Sequence, residues 1–397
     1  MLKFAVKFLI LVLLALCSVV IVKSAAPQIE RAKYNFNSDW KLFVGDASGA
    51  EKSDFDDKDW KNITLPHAWN EDDAFRKDIA ELSTGIAWYR KHFKLPANAK
   101  DKKIFLEFEG IRQAGDVYLN GKFVGSSENG VMAFGFDISN FVISGENVIA
   151  VRTDNSWTYK EKATGSAFQW NDKNFYANYG GVNKNVFLHV AEKLYQTLPL
   201  YENLGTTGTY VYATDFDIKN KSAKITAETE VKNEYPASKT FQYEIAVEDL
   251  DGKIVKTIEG GKYTLAPNEI KAISASDILK NLNFWSWGYG YLYNVYTTLK
   301  IDGVVVDTVA TRTGFRKTEF ADGMFKLNDR TLQLKGYAQR TTNEWVASGS
   351  REMLDSRVAE YGGEMLYINH SARIPMWAME YSRDENLRKY WDDFSPP

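Results

Sequence analysis

One local signal recurs three times and constrains this chain more than any other feature: Asn-Gly or Asp-Gly set between two runs of alternating apolar residues. Val117 and Leu119 run into Asn120-Gly121, which opens Lys122-Phe123-Val124. Phe241, Tyr243, Ile245 and Val247 precede Asp251-Gly252, and Ile254 and Val255 follow it. Val295, Thr297, Leu299 and Ile301 precede Asp302-Gly303, and Val304–Val306 follow. Both residues of such a pair tolerate positive φ, so the pair reverses the chain within two residues and sets the pairing register of its flanks. Ile104, Leu106 and Phe108 alternate in the same way with Phe105, Glu107 and Glu109. No helical stripe longer than about 12 residues competes between Tyr34 and Arg316. The chain is therefore expected to be mainly β, built as antiparallel sheets packed in sandwiches.

A boundary is expected near Val190–Tyr201. Val186–Val190 reads as a closing strand, and a new alternating series opens at Tyr210-Val211-Tyr212. Residues 27–192 suit a jelly roll, and residues 193–316 suit a seven-stranded immunoglobulin-like sandwich without the cysteine pair of antibody domains. Aromatic residues make up 14% of the chain, which fits sheet cores; Trp285-Ser286-Trp287 and Trp157 read as packing residues on that ground. A formal charge of −3 and the lack of a basic run argue against nucleic acid as a partner.

The first 26 residues have the form of an address. Lys3 and Lys7 precede a 15-residue apolar stretch, Phe8–Val22, and Lys23-Ser24-Ala25-Ala26 supplies small residues for cleavage. The stretch is short for a membrane span, which needs roughly 20 residues. An exported protein is expected, periplasmic or extracellular, with an uncleaved membrane anchor as the alternative. Cleavage would remove three lysines and take the charge from −3 to −6. It would also remove Cys17, the only cysteine, so burial alone would have to hold the cores together.

From Lys317 the pattern changes. Leu332–Tyr337 reads as a strand, Glu352–Tyr361 as a helix and Glu364–Ile368 as a second strand. Strand, helix, strand implies a right-handed βαβ unit and a parallel sheet. Two parallel strands are too few for a stable domain.

Several segments, in order, resemble the front half of glycoside hydrolase family 2, the β-galactosidase, β-mannosidase and β-glucuronidase group. Leu65-Pro66-His67-Ala68-Trp69 resembles an early loop of that family, and Ala87-Trp88-Tyr89-Arg90-Lys91-His92-Phe93 resembles its G-x-x-W-Y-R-K-x-F strand. Leu106–Gly110 with Val117–Gly121 is similar to the family's central hairpin, Gly145–Asn155 to its next strand and Asn178–Val182 to the turn before the last strand. Thr313–Arg316 and Phe325–Asn328, leading into Leu334-Lys335-Gly336, resemble the entry to its (β/α)8 barrel. The wording from Gly336 to Thr341 looks most like exported bacterial β-galactosidases. The resemblance implies a retaining glycosidase acting on a β-galactoside or related glycan. Its fold would be a jelly roll, an immunoglobulin-like sandwich and then the start of a (β/α)8 barrel.

Family chemistry needs two carboxylates about 5–5.5 Å apart on barrel strand ends. The resemblance places both on later strands than residues 317–397 supply, since a whole barrel needs roughly 250 residues. No catalytic residue is assigned on that basis, the barrel portion is expected to be incomplete, and the chain alone is expected to be inactive. Substrate-site candidates are Arg340 and Glu344 after the first barrel strand, His370 after the second, and Asp154 and Asn155 at the end of a sandwich strand. Glu344 follows Asn343, but the family's Asn-Glu pair ends its fourth strand, so sugar hydrogen bonding suits Glu344 better than acid/base work. Thr341 stands where most members carry a histidine. Asp154 and Asn155 are as well suited to forming a turn as to contacting sugar hydroxyls. His67, His92 and His189 are not spaced as metal ligands, and no cofactor is expected. Two other functions fit the same residues: a non-catalytic carbohydrate-binding protein, and a docking protein whose open barrel edge is completed by a protein partner.

Overall fold

The computed structural model describes residues 31–70, 84–112, 114–130, 132–156 and 180–333. The N-terminal address and the helix and second strand expected after residue 350 lie outside the described residues. So do four of the six residues of the strand expected at Leu332–Tyr337.

Two β-sandwiches account for almost all of the described chain. In the first, a four-stranded sheet runs in the order Ala32–Asn35, Val186–Ala191, Lys103–Phe108, Phe134–Asp137. Facing it is a six-stranded sheet in the order Lys61–Ile63, Trp40–Val44, Ile86–Lys94, Glu146–Asp154, Gly115–Leu119, Lys122–Ser127. All neighbours are antiparallel. The inward positions Trp40, Tyr89, Leu106, Phe108, Val117, Phe134 and Val151 form one apolar core. The opposite face of the six-stranded sheet is also covered, because the 45–60 connection folds back so that Ala50, Trp88 and Ala150 pack with Phe55 and Trp60. The central strand Ile86–Lys94 is consequently buried at five successive positions rather than at every second one.

In the second sandwich, Ser222–Asn233 is flanked by Thr209–Asp217 on one side and Ile270–Leu279 on the other. The facing sheet runs Ile254–Leu265, Lys239–Glu248, Tyr293–Ile301, Val304–Thr313. These seven long strands bury Ile225, Phe241, Tyr243, Ile258, Val295 and Leu299 between them. Sheet pairing bears out all three expected reversals. Asn120 and Gly121 have φ of 52° and 78°, and Asp302 and Gly303 have 49° and 82°. The third is built differently. Only Gly252 is left-handed there, and the Asp249 carboxylate accepts the backbone N–H groups of Asp251 and Lys253 at 3.0 and 2.9 Å, which widens the turn.

The chain passes between the sandwiches through Leu194–Gln196, which pairs with Val231–Asn233. Phe105 of the first sandwich packs with Tyr195, Leu198 and Leu200 of this connection. Arg31 pairs with the buried Asp307 at 2.9 Å, and Gln196 donates its backbone N–H to the same carboxylate at 2.8 Å. Lys103 bridges Asp137 and Glu234. Beyond the second sandwich lies a small antiparallel sheet of Thr318–Ala321, Met324–Leu327 and Arg330–Thr331. It is tied back by Asn328, whose side-chain amide donates to the Trp285 carbonyl at 3.0 Å. Trp285 is partly buried under Arg316, whereas Trp287 is 53% exposed and does not pack as expected.

Candidate functional site at the loop end of the first sandwich

Asp154 and Asn155 end the Glu146–Asp154 strand, where several connections of the first sandwich meet. The backbones of Asp154 and Ala114 exchange both hydrogen bonds, as do those of Arg112 and Gly181. Trp69 donates its backbone N–H to Gly180, and Gly180 donates to the Asn70 side chain at 2.9 Å. Two glycines let these segments close. A Cβ on Gly180 would fall 2.3 Å from Trp69 Nε1 and 2.8 Å from Asn155 Nδ2, and one on Gly181 would fall 2.1 Å from the Tyr89 hydroxyl. That hydroxyl donates to the His67 carbonyl at 2.8 Å.

Asn155 is wholly buried. Its side-chain oxygen accepts the Gly85 N–H at 2.8 Å, and its own N–H donates to the Gly85 carbonyl at 3.0 Å. This double clamp fixes the strand end. Asp154 is 8% exposed; one carboxylate oxygen accepts the Ser156 N–H at 3.0 Å, and the other faces Arg152 Nη1 at 3.3 Å. The first contact is an Asx turn, and the second opens a charged group along the outer sheet face.

That group was not singled out in the sequence. Arg152 lies two residues before Asp154 on the same face and stands in register with Asp116 on one side and Trp88 on the other. Its Nε also meets Asp46 at 3.5 Å, and Trp88 Nε1 donates to Asp46 at 3.0 Å. The indole N–H, helped by Arg152, lowers the pKa of the Asp46 carboxyl. Asp116 behaves oppositely: burial raises its pKa, the nearby Asp154 and Glu128 add to the shift, and Arg152 opposes it. A signal was present in the sequence, since Arg152 and Asp154 stand at an i, i+2 spacing at a strand end, with Asp116 beside a hairpin of known register. Such a set can hold and orient hydroxyl groups through a fixed guanidinium and carboxylates of unequal basicity.

Of the five predicted site residues, the structure places Asp154 and Asn155 side by side. Arg340, Glu344 and His370 lie outside the described residues. Among the described residues, no group of three or more His, Cys, Asp or Glu side chains could hold a metal ion.

Comparison with known proteins agrees with this architecture. Residues 70–190 match the profile described as "Glycosyl hydrolase 2 galactose-binding domain-like", and residues 209–316 match "Glycosyl hydrolases family 2". Over 368 residues the chain is 35% identical to a β-glucuronidase of Formosa agariphila, covering 87% of this chain and 36% of that protein. It is 28% identical over 346 residues to a β-galactosidase of Thermoanaerobacter pseudethanolicus, covering 85% and 42% respectively. The chain thus spans well under half the length of these curated relatives. Among solved structures, a β-glucuronidase from glycoside hydrolase family 2 superposes with a TM-score of 0.79 at 33% identity, over 86% of this chain and 37% of that one. A Bacteroides uniformis β-glucuronidase does so with 0.73 at 25% identity, over 90% and 41%. Close superposition on family members, two family profiles and extended identity lead to one assignment: the chain belongs to glycoside hydrolase family 2 and corresponds to the front part of its members.

Proposed function

We propose that this chain serves carbohydrate metabolism as the front part of a family 2 glycosidase that hydrolyses an O-glycosyl bond in a β-galactoside or β-glucuronide. The observation that carries this reading is the 35% identity over 368 residues to a protein named β-glucuronidase. In the retaining mechanism one carboxylate protonates the leaving oxygen and a second, about 5–5.5 Å away, attacks the anomeric carbon. The sandwiches contribute placement, with Asp154 and the Arg152 group at a loop end suited to meeting a sugar. Arg340, Glu344 and His370 are proposed as further substrate contacts, and a protein partner that completes a barrel fits the same scheme. Export follows from the N-terminal address.

The test is hydrolysis of aryl β-galactosides and aryl β-glucuronides by the purified 397-residue chain and by a longer family 2 chain carrying the same front part. The longer chain is expected to turn over one of the two substrates, and the 397-residue chain neither. Turnover by the 397-residue chain, lost in Glu344→Gln, would overturn the assignment of catalysis to other residues. The galactose-binding-like profile over residues 70–190 favours a second reading, a non-catalytic carbohydrate-binding protein. Inactivity of both chains together with glycan binding by the shorter one would select it.

A further inference from the structure

At the other end of the strands that carry Asp154, the outer face of the six-stranded sheet opens into a groove of about 550 Å³, lined by Asp39, Lys41, Asn62, Ile63, Thr64 and His92. Strand register makes this a built surface. Lys41 stands directly opposite Asn62 on the edge strand and opposite Arg90 on the other side, with His92 two residues further along. The buried Asp57 anchors it from below. It accepts from Lys41 Nζ at 2.9 Å and from Arg90 Nε at 2.8 Å, and it meets His92 Nε2 at 3.0 Å. The Asp57 carbonyl takes a second Lys41 hydrogen bond, also at 2.9 Å. The Lys41 and His92 side chains are thus held in place before any ligand arrives. Asn62 and Thr64 are exposed and make no side-chain hydrogen bond to another described residue.

The chemistry of the lining selects a ligand class. An anion site is dominated by donors and a cation site by acceptors; this groove presents both in balance. Lys41, with its third ammonium proton, and the Asn62 amide can donate. The Asp39 carboxylate and the Asn62 carbonyl can accept, and the Thr64 hydroxyl can do either. Asp39, Asp57 and Glu146 also balance Lys41, Arg90 and, when protonated, His92, so neither sign dominates. Vicinal hydroxyl groups, each a donor and an acceptor at once, match such a lining. Phe43, two residues from Lys41 on the same face and 39% exposed, extends the surface with an apolar patch stacked on Trp60.

We infer that this groove binds a neutral sugar residue of a glycan through its hydroxyl edge. The site is open and has no aromatic platform of its own, so a single sugar should bind with a dissociation constant on the order of 1 mM. The site lies wholly on described residues of this chain, and its failure would leave the glycosidase reading untouched.

The chain has four histidines, so the His92 imidazole C–H resonance can be assigned by its loss in His92→Gln. Titrating the full chain with methyl β-D-galactopyranoside should shift that resonance saturably. In Asn62→Trp, which fills the groove from an exposed edge position, the saturable shift should vanish while the circular dichroism spectrum stays that of the parent. A His92 signal that does not move at sugar concentrations far above that constant would overturn the inference. So would a shift that survives in Asn62→Trp, or an equal saturable shift with sodium acetate.

Discussion

The two sandwiches hold their shape by different means. The second is made of strands of 9–12 residues, most of them joined by tight reversals, around a core of aliphatic and aromatic side chains. Its buried polar residues are mainly threonines, joined by Glu248, by Asn233, which donates to the Ala237, Leu265 and Ala266 carbonyls, and by the Gln196–Asp307 contact at its junction with the first. The first sandwich has shorter strands and long connections, and it buries Asp57, Arg90, Lys91, Lys103, Asn147, Asp154, Asn155 and His189. Almost every one of these ties a connection to a sheet or one sandwich to the other. Arg90 donates to Asp57 and to the carbonyls of Ala50 and Lys52, Asn155 clamps Gly85, and Asn147 donates to Ile143. Hairpins fix their own geometry, whereas long loops must be pinned from outside. The sandwich with pinned loops is also the one that can present a site.

The sharpest way to break this contrast is to remove one pin and one core residue and compare the outcomes. Arg90→Met leaves the Asp57 carboxylate buried with a main partner gone, which should cost about 3–5 kcal/mol. Phe241→Ala opens a cavity in the second core and should cost about 3–5 kcal/mol as well. The consequences should differ in place. Urea unfolding followed by limited proteolysis should show Arg90→Met cut first between residues 45 and 60. Phe241→Ala should instead lose the second sandwich as a unit. Early cutting in the same place for both variants would show that the two sandwiches do not differ in this way.

A weaker pin should give a proportionally smaller effect. Asn155→Ala leaves the half-buried Gly85 N–H without its acceptor, a loss at the low end of about 1–3 kcal/mol. Hydrogen exchange at the Gly85 amide should rise more than exchange in the middle of the Ile86–Lys94 strand. Uniform exchange across that strand would mean that Asn155 acts as core filler.

Much of the fold was legible in the sequence and much of the site was not, for a common reason. Period two and the reversals at Asn120-Gly121 and Asp302-Gly303 are local, so strands and register could be read from them directly. The fate of Arg90 is not local. An alternating strand reads it as solvated, yet it is completely buried because a connection 30–45 residues earlier folds over it. The same applies to Asp57 and Asp116, whose partners are brought up by tertiary packing. Asp154 and Asn155 stood out because they end a strand. Their division of labour, a turn-forming carboxylate and a buried clamp, depends on Ser156, Arg152 and Gly85 in three dimensions.

Within the first sandwich, acid separates a buried carboxyl, Asp57, from a half-buried one, Asp116. Burial pushes Asp57 up, but hydrogen bonds from Arg90, Lys41 and His92 outweigh it and hold its pKa down to about 2. A lowered carboxyl stabilises the fold above its unfolded pKa, and that support is lost as pH falls from about 4 through 2. The raised Asp116 has the reverse sign: folding favours its protonated form, so stability falls as pH rises through its titration and stays reduced at neutral pH. Asp57→Asn should lower the unfolding midpoint at pH 7 and flatten its decline between pH 4 and 2. Asp116→Asn should raise the pH 7 midpoint and leave that acid decline in place. Equal signs for the two variants at pH 7 would show that packing, and not charge, governs both positions.

The smallest effect is expected where the second sandwich carries a charge pair on its surface. Lys256 and Asp277 meet across the two sheets, with side chains 29% and 50% exposed. The pair looks like the Arg90–Asp57 contact in a list of distances but differs in solvation: water already satisfies both groups in the unfolded chain and screens them in the folded one. Exposed pairs of this kind contribute about 0.2–1 kcal/mol, and salt weakens them further. Lys256→Ala should therefore shift the urea midpoint only slightly, and the shift should shrink in 1 M salt. Arg90→Met should keep most of its effect in the same salt, because salt does not reach a buried pair. A Lys256→Ala loss as large as that of Arg90→Met would mean that the second sandwich is pinned by charge as well, and the contrast between a hairpin-held and a pin-held sandwich would not stand.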